Sequence, residues 1–279
     1  VTSWDHVAEA GAIMQASGIP MDGNWCQAVN PFTQRTLASD QRSLGGETGS
    51  MTANQRATIT DNFAGMKVMT ATTLGSYTTG TGADRAGTVV GTPLATYSAA
   101  KDTMTQVIGV TAFEANLVIA AGETVTVSAV NRLNLSTRKE MIDEAGNPIV
   151  FTGTVTESVT LDGSGAGNLV ITGPAIFEAT GQYNTVNVGI AASDVITLGG
   201  AANKIIQPSL FWHKQAFTVA SIPIKKLHAT DTVATTEDGM QLRVTKDSMF
   251  LENKNQIRID FRPAYGVMNP FFAGQSFGA

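Results

Sequence analysis

The chain has 279 residues, of which 43% are hydrophobic and only 15% are charged, and its formal net charge is -5. This composition excludes a disordered protein, because enough apolar surface is present to offset the entropy lost on folding. The negative charge also argues against tight binding of nucleic acid, which depends on clustered Lys and Arg. Abundant Gly, Thr and Val favour strands and turns, and the length allows two folding units.

The first predicted element is an amphipathic helix at the start of the chain. Thr2 and Asp5 fit a capping box, and the helix should stop at Gly18-Ile19-Pro20. Spacings of three and four residues place one apolar stripe on this helix, formed by Trp4, Val7, Ala8, Gly11 and Met14.

A second helix is predicted from Phe32 to Leu44. Asn30 suits the capping position, Pro31 suits the first helical position, and Gly45-Gly46 suits the stop. From Met66 to Leu74 the apolar residues recur in steps of two, which predicts a strand.

The middle of the chain predicts a small β-barrel or sandwich. Residues 75–105 are rich in Thr, Gly and Ala and predict an extended loop with short strands, mobile before Gln106. Short strands separated by turn signals should follow, a spacing typical of these folds. The predicted strands are 106–111, 116–119, 123–130, 149–159, 168–172 and 184–188.

The composition changes after Gly199-Gly200, where a different unit should resume. The segment from Pro208 to Phe217 is aromatic and basic. Two alternating runs, 240–245 and 256–267, flank the polar residues 251–255 and predict a hairpin.

The sequence offers few candidates for chemistry, and none has a complete pattern. His6, His213 and His228 never stand at zinc-site spacings, and no cysteine pair supplements them. The lone Cys26 is interpreted as a small buried hydrophobe. The loop 80–87 resembles a phosphate loop only superficially, and we interpret 163–167, with Ser164 among glycines, as a hairpin tip.

The remaining candidates also have simpler structural interpretations. Asn134-Leu135-Ser136 matches the glycosylation pattern, which matters only in secreted proteins. The pairs Asp5/Glu9 and Asp143/Glu144 are interpreted as solvated surface. The aromatic cluster Phe211, Trp212, His213, Lys214 and Phe217 could bind a cation or a base, but core packing is favoured, with His213 hydrogen-bonded. We therefore expect no catalytic, cofactor-binding or metal-binding residue, and no cofactor.

No run of about 18 apolar residues is present, and residues 1–20 lack a basic start followed by an apolar block. We therefore expect neither a membrane span nor a signal peptide.

The order of several segments resembles the major coat proteins of P22-type short-tailed bacteriophages. The resemblance is spread along the chain, and no single piece is specific. It rests on Trp4 to Ala10, Asn30-Pro31, Phe63 to Val68, Ala121 to Val127, Ile171 to Ile176, Gly181 to Val186, Leu210 to Phe217 and Asp238 to Arg243.

The resemblance implies an α+β, HK97-type capsid fold, in which helices pack on the mixed sheet of an A-domain. It implies a first A-domain part at 1–74, an inserted all-β barrel at 75–204, a second A-domain part at 205–255 and a C-terminal P-domain return at 256–279. An N-terminal arm, an extended loop and a spine helix would then precede Val1, so the chain is expected to be a C-terminal portion that does not build authentic shells alone.

The function that the resemblance implies is structural, not enzymatic. Identical subunits would form pentamers and hexamers of an icosahedral shell that encloses the genome, with scaffolding and portal proteins as partners. The protein would assemble in the host cytoplasm, reside in the virion, and bind neither membrane nor specific nucleic acid sequences. Alternatives are another phage structural protein of tail or decoration type, or a β-rich ligand-binding protein or hydrolase.

Overall fold

The computed structural model describes residues 1–43, 59–60, 62–249 and 251–277, and these are mostly β with few helices. The chain divides into two compact units. Unit 1 is Val1–His213 with Pro270–Ala279, and unit 2 is Lys214–Asn269.

The described helices are α1 (Trp4–Ala16), α2 (Pro31–Ser43), α3 (Tyr97–Ala100) and a 3-10 turn at Pro270–Phe272. The strands of the first half are β1 (Trp25–Val29), β2 (Lys67–Thr70), β3 (Tyr77–Thr78), β4 (Ala86–Val90), β5 (Thr105–Thr111), β6 (Val118–Ile119), β7 (Thr124–Asn131), β8 (Val150–Val155) and β9 (Val159–Thr160). Those of the second half are β10 (Gly167–Thr172), β11 (Val195–Leu198), β12 (Ile205–Ile206), β13 (Ser209–His213), β14 (Phe217–Ser221), β15 (Thr232–Thr235), β16 (Gln241–Met249), β17 (Lys254–Phe261), β18 (Pro263–Val267) and β19 (Ala273–Ser276).

Both predicted N-terminal helices are present, with one correction to a cap. The α1 cap is Ser3, not Thr2, because the Ser3 hydroxyl accepts from the His6 backbone N–H in the first turn. Gly18 has φ +90°, the left-handed conformation that ends the helix, as predicted. Trp4, expected on the apolar stripe, is instead 40% exposed.

The predicted start of α2 is confirmed. Asn30 Oδ1 accepts from Phe32 N at 2.6 Å and from Thr33 N at 3.2 Å, which satisfies two N–H groups at the helix start. The predicted end at Leu44 and the stop at Gly45-Gly46 lie outside the described residues.

The two helices accompany a mixed four-stranded sheet in the order β19-β13-β1-β2. β1 pairs parallel with β2 and antiparallel with β13. The predicted strand 66–74 is shorter, since pairing covers only β2. One hydrophobic cluster joins both helices to the sheet, and it includes Val7, Met14, Trp25, Leu37, Met66 and Phe211.

A closed six-stranded barrel, in the order β10-β5-β4-β11-β7-β8, forms the middle of the chain. Alternate residues of its strands point inward, so Val125, Val127 and Phe151 are buried while their neighbours are more exposed. Val155, Leu169 and Ile171 are buried with them, whereas Ile149 and Val159 are only partly buried.

Two barrel strands differ from the sequence prediction. The predicted strand 184–188 is wrong, because this segment makes only an isolated bridge from Val186 to Arg132. The barrel strand that the sequence did not predict is β11, which pairs with β4 and β7. β4 itself lies in the segment predicted to be mainly loop.

The two ends of the barrel segment meet. β3 pairs antiparallel with β12, and Ile205 stands opposite Thr78. Gln207 Nε2 also donates to the Leu74 carbonyl at 3.0 Å. The chain therefore enters and leaves this segment through adjacent backbone.

Unit 2 contains a three-stranded sheet, β15-β16-β17, and a two-stranded sheet, β14-β18. The predicted hairpin is confirmed as β16 and β17, with Leu242 opposite Phe261 and Met249 opposite Lys254. The second predicted run, 256–267, is not one strand: it divides at Arg262, and β18 pairs with β14 instead.

Candidate functional site

The loop 80–87 is part of a polar cluster that closes one end of the barrel, which we call the clasp and define as Gly80, Arg85, Glu114 and Glu123. Glu123 follows a sharp turn at Gly122 and is 0% exposed. Its Oε1 accepts from Gly80 N at 2.8 Å and from Ala120 N at 3.0 Å. Its Oε2 forms a buried ion pair with Arg85.

The rest of the clasp fixes the backbone of the same loop. Glu114 Oε2 accepts from Ala83 N at 2.7 Å and from Asp84 N at 3.2 Å, and Arg85 Nη1 donates to the Gly80 carbonyl at 3.4 Å. The loop's N–H groups are thus directed at protein carboxylates. This backbone lies within the stretch predicted to be mobile, and it is hydrogen-bonded to carboxylates of the barrel.

The clasp also affects the phenol of Tyr77, which lies against Gly122. Burial, followed by the negative charge of Glu123, raises the pKa of Tyr77 to about 12, against a smaller opposing effect of Arg85. Tyr77 is therefore a neutral packing residue at ordinary pH.

The boundary between the two units falls within the aromatic segment around β13, directly after His213. His213 is 2% exposed, its Nε2 lies 3.0 Å from Asp22 Oδ1, and its ring meets Trp25 and Phe272 edge-on. The predicted buried, hydrogen-bonded His213 is confirmed. Phe217, expected in the same core, is instead 48% exposed in unit 2.

Asp22 is held in its charged form by several donors. Hydrogen bonds from the side chain and then the backbone of Asn24, followed by the bond to His213, lower the pKa of Asp22 to about 2. Nothing in this arrangement requires a role beyond orienting the buried imidazole.

The other candidate residues from the sequence hold the backbone in place or lie on the surface. Asn134 Nδ2 donates to the Ala16 carbonyl at 2.8 Å, so the amide of the glycosylation pattern joins the barrel to the end of α1. Asp143 accepts from Ala145 N and Asn147 N within a tight turn, which lowers the pKa of its carboxyl, the Asn147 bonds contributing most. Asp5 and Glu9 are exposed, and Cys26 is partly buried.

Sequence reasoning missed one serine–histidine contact, in which Ser3 Oγ lies 3.1 Å from His6 Nδ1. The same hydroxyl caps α1.

Within the described parts of the chain, no group of three or more His, Cys, Asp or Glu is placed to hold a metal ion.

Unit 2 exposes a continuous apolar sheet surface, which we call the β17 face and define as Leu242, Val244, Ile257, Ile259 and Phe261. These side chains share one face because residues two apart, and residues directly opposite, point the same way. Ile257 and Ile259 are each 67% exposed. The opposite face holds the ion pair of Arg243, which is buried, with Asp260.

Apolar residues on an exposed edge strand favour association with another protein surface.

Of the helices in the described ranges, α1 and α2 have 13 residues each, well below the roughly 20 needed to cross a bilayer, and none qualifies as a membrane span.

The chain is similar to known proteins in two comparisons. The family model described as P22 coat protein, gene protein 5, matches residues 1–278. A major capsid protein of Acyrthosiphon pisum secondary endosymbiont phage 1 is 29% identical over 282 residues. That alignment covers 100% of this chain and 66% of the relative, so the chain spans just under two thirds of the relative's length.

Proposed function

Because this chain belongs to the P22 coat protein family, we propose that it forms part of the structural shell of a bacteriophage capsid. The observation that carries the proposal is the family match over residues 1–278, which includes the helices, the barrel and both parts of the four-stranded sheet. The role is structural and not enzymatic, and the protein resides in the virion after assembly in the host cytoplasm.

We further propose an HK97-type arrangement for the two parts of unit 1. The helices and the strands β13, β1 and β2 correspond to the A-domain, and residues 75–204 to a barrel inserted into it. On this division 205–255 returns to the A-domain and 256–279 to the P-domain. The meeting of β3 with β12 supports the insert, since inserted domains enter and leave the host domain at adjacent points.

The separate barrel core supports independent folding of the insert. Its buried residues, among them Ile108, Val125, Phe151 and Ile171, form a cluster of their own. Expressed residues 75–204 should therefore give dispersed amide NMR signals and a cooperative thermal melt. Collapsed amide dispersion without a transition would instead make the barrel dependent on the helices and sheet.

Assembly requires identical subunits to bury surface against one another, and we propose pentamers and hexamers with scaffolding and portal proteins as partners. The low charge content supports this, because extensive interfaces are depleted of charge that would have to be desolvated. The β17 face supplies the apolar surface that such contacts need.

The function is tested by expressing the full-length protein with its scaffolding protein and imaging the products by negative-stain electron microscopy. Closed shells are expected for the wild type. Ile259→Asp should cut the yield of shells at least tenfold, because it places a charge on the β17 face. Thr235→Asp, at an exposed position on the opposite face, is the matched control. Equal shell yields from the two variants would remove the β17 face from the interface, and only monomers from the wild type would contradict the function.

A further inference from the structure

Unit 1 contains a cavity of about 420 Å³ that the proposed shell function does not use. Ile13 and Met14 of α1 line one side, Thr152 and Thr154 of the barrel strand β8 a second, and Phe271 before β19 a third. Thr152 and Thr154 alternate with inward-pointing core residues, so the cavity lies against the outer wall of the barrel.

Arg132 is the only charged side chain among the described residues that line this cavity. Its Nη2 donates to the Thr152 carbonyl at 3.1 Å, and no carboxylate among the described residues pairs with it. Burial lowers the pKa of Arg132, with no compensating carboxylate. Arg132 is partly buried, and a guanidinium that loses part of its hydration usually has a counter-charge, because leaving it unpaired is costly.

Further polar groups face the same cavity without a partner. The hydroxyls of Thr152 and Thr154 make no hydrogen bond to another described residue. The Gln275 side chain also lines the cavity, and its Oε1 is buried without a hydrogen-bond partner. An amide can present its NH₂ group in the same place after rotation, so Gln275 can donate to a ligand oxygen.

Besides the hydroxyl residues Ser17, Thr124, Thr172 and Thr185, the rest of the lining is mainly apolar and aromatic. It includes Phe211, Phe271 and Phe277 together with Pro174 and Pro270. A few converging polar groups in an apolar cavity of this size are typical of small-molecule sites, which measure about 300–1,000 Å³.

From this geometry we propose that the cavity binds a small monocarboxylate with an apolar tail. The carboxylate pairs with Arg132 and accepts hydrogen bonds from Thr152, Thr154 or Gln275, and the tail packs against the phenylalanine rings. A neutral apolar ligand would leave the guanidinium unpaired, and a highly charged anion such as inorganic phosphate would find one cation in an apolar site.

The test uses octanoate as the probe and octan-1-ol as its uncharged match, with binding measured by NMR titration of the whole chain. Octanoate is expected to shift the amide signals of Thr152, Thr154 and Gln275 and to bind at least tenfold more tightly than octan-1-ol. Acetate should bind more weakly than octanoate, because it lacks the apolar tail.

Arg132→Met keeps the apolar stem and removes the charge, so it should weaken octanoate binding at least tenfold and leave octan-1-ol binding unchanged. Arg138→Met is the matched control, since Arg138 donates to the Asn184 carbonyl at 2.7 Å and does not line the cavity. Equal binding of octanoate and octan-1-ol to the wild type, or shifts confined to residues outside the cavity, would overturn the proposal even if Arg132→Met failed to fold.

Discussion

Replacing Glu123 by Ala is expected to destabilise the barrel by about 3–5 kcal/mol, because it leaves the buried charge of Arg85 without its partner. Both side chains are almost fully removed from solvent, so water cannot replace the lost carboxylate. The change also removes the acceptor for Gly80 N and Ala120 N. Each of these N–H groups then carries a desolvation cost.

The measurement is amide hydrogen exchange at barrel-core positions such as Leu169 and Ile171, which reports the opening of the barrel itself. Exchange should accelerate roughly a hundredfold or more, since each 1.4 kcal/mol is about a factor of ten. Glu157→Ala, an exposed glutamate of the same barrel, is the control and should change little. Similar exchange in both variants would mean that the clasp contributes no stability.

A double replacement separates the charge from the hydrogen bonds. Arg85→Met with Glu123→Leu removes both charges, so the cost of an unpaired ion disappears. The backbone N–H groups of Gly80 and Ala120 remain without an acceptor. We therefore expect a stability between those of wild type and Glu123→Ala.

Replacing Gly80 by Ala is expected to destabilise the barrel by at least about 3 kcal/mol, at the upper end of the usual cost of overpacking. A Cβ at this position would lie 1.5 Å from the Val118 carbonyl oxygen, which is a backbone atom and cannot rotate away. The loop would have to move, and this would break the bond from Gly80 N to Glu123.

Thermal unfolding followed by circular dichroism is the measurement for this change. Gly75→Ala is the matched control, because a Cβ there meets no atom within 4 Å. Gly80→Ala should lower the midpoint by several degrees, and Gly75→Ala should leave it almost unchanged. Equal midpoints in the two variants would show that the loop does not pack against Val118 as described.

Features set by local chemistry were predictable from the sequence. Asn30 followed by Pro31 predicted the start of α2, because capping and the fixed φ of proline act within one turn. The alternation of apolar and polar residues in 240–245 predicted β16, because side chains along a strand point to opposite faces in turn. Ser3 was missed as the cap because two adjacent hydroxyl residues both suited that position.

Features set by distant partners were not predictable. Ala86–Val90 has the glycine and threonine content of a loop, yet Gly87 in this strand allows close approach of the Phe113 ring, which a Cβ would contact at 2.4 Å. The strand β11 has only four residues, and its pairing with β4 and β7 decides its conformation. Arg85 and Glu123 are separated by 38 residues, and only the closed barrel brings them together.

The most direct test of the shell function is a low-resolution electron cryo-microscopy map of particles assembled from the full-length protein. We expect a closed icosahedral shell built of pentamers and hexamers, with one barrel-sized density in every subunit. Deleting residues 75–204 should remove that density, and particles should still form. Filaments, tail-like tubes or a protein that decorates a shell made of other subunits would contradict the assignment of this chain to the capsid wall.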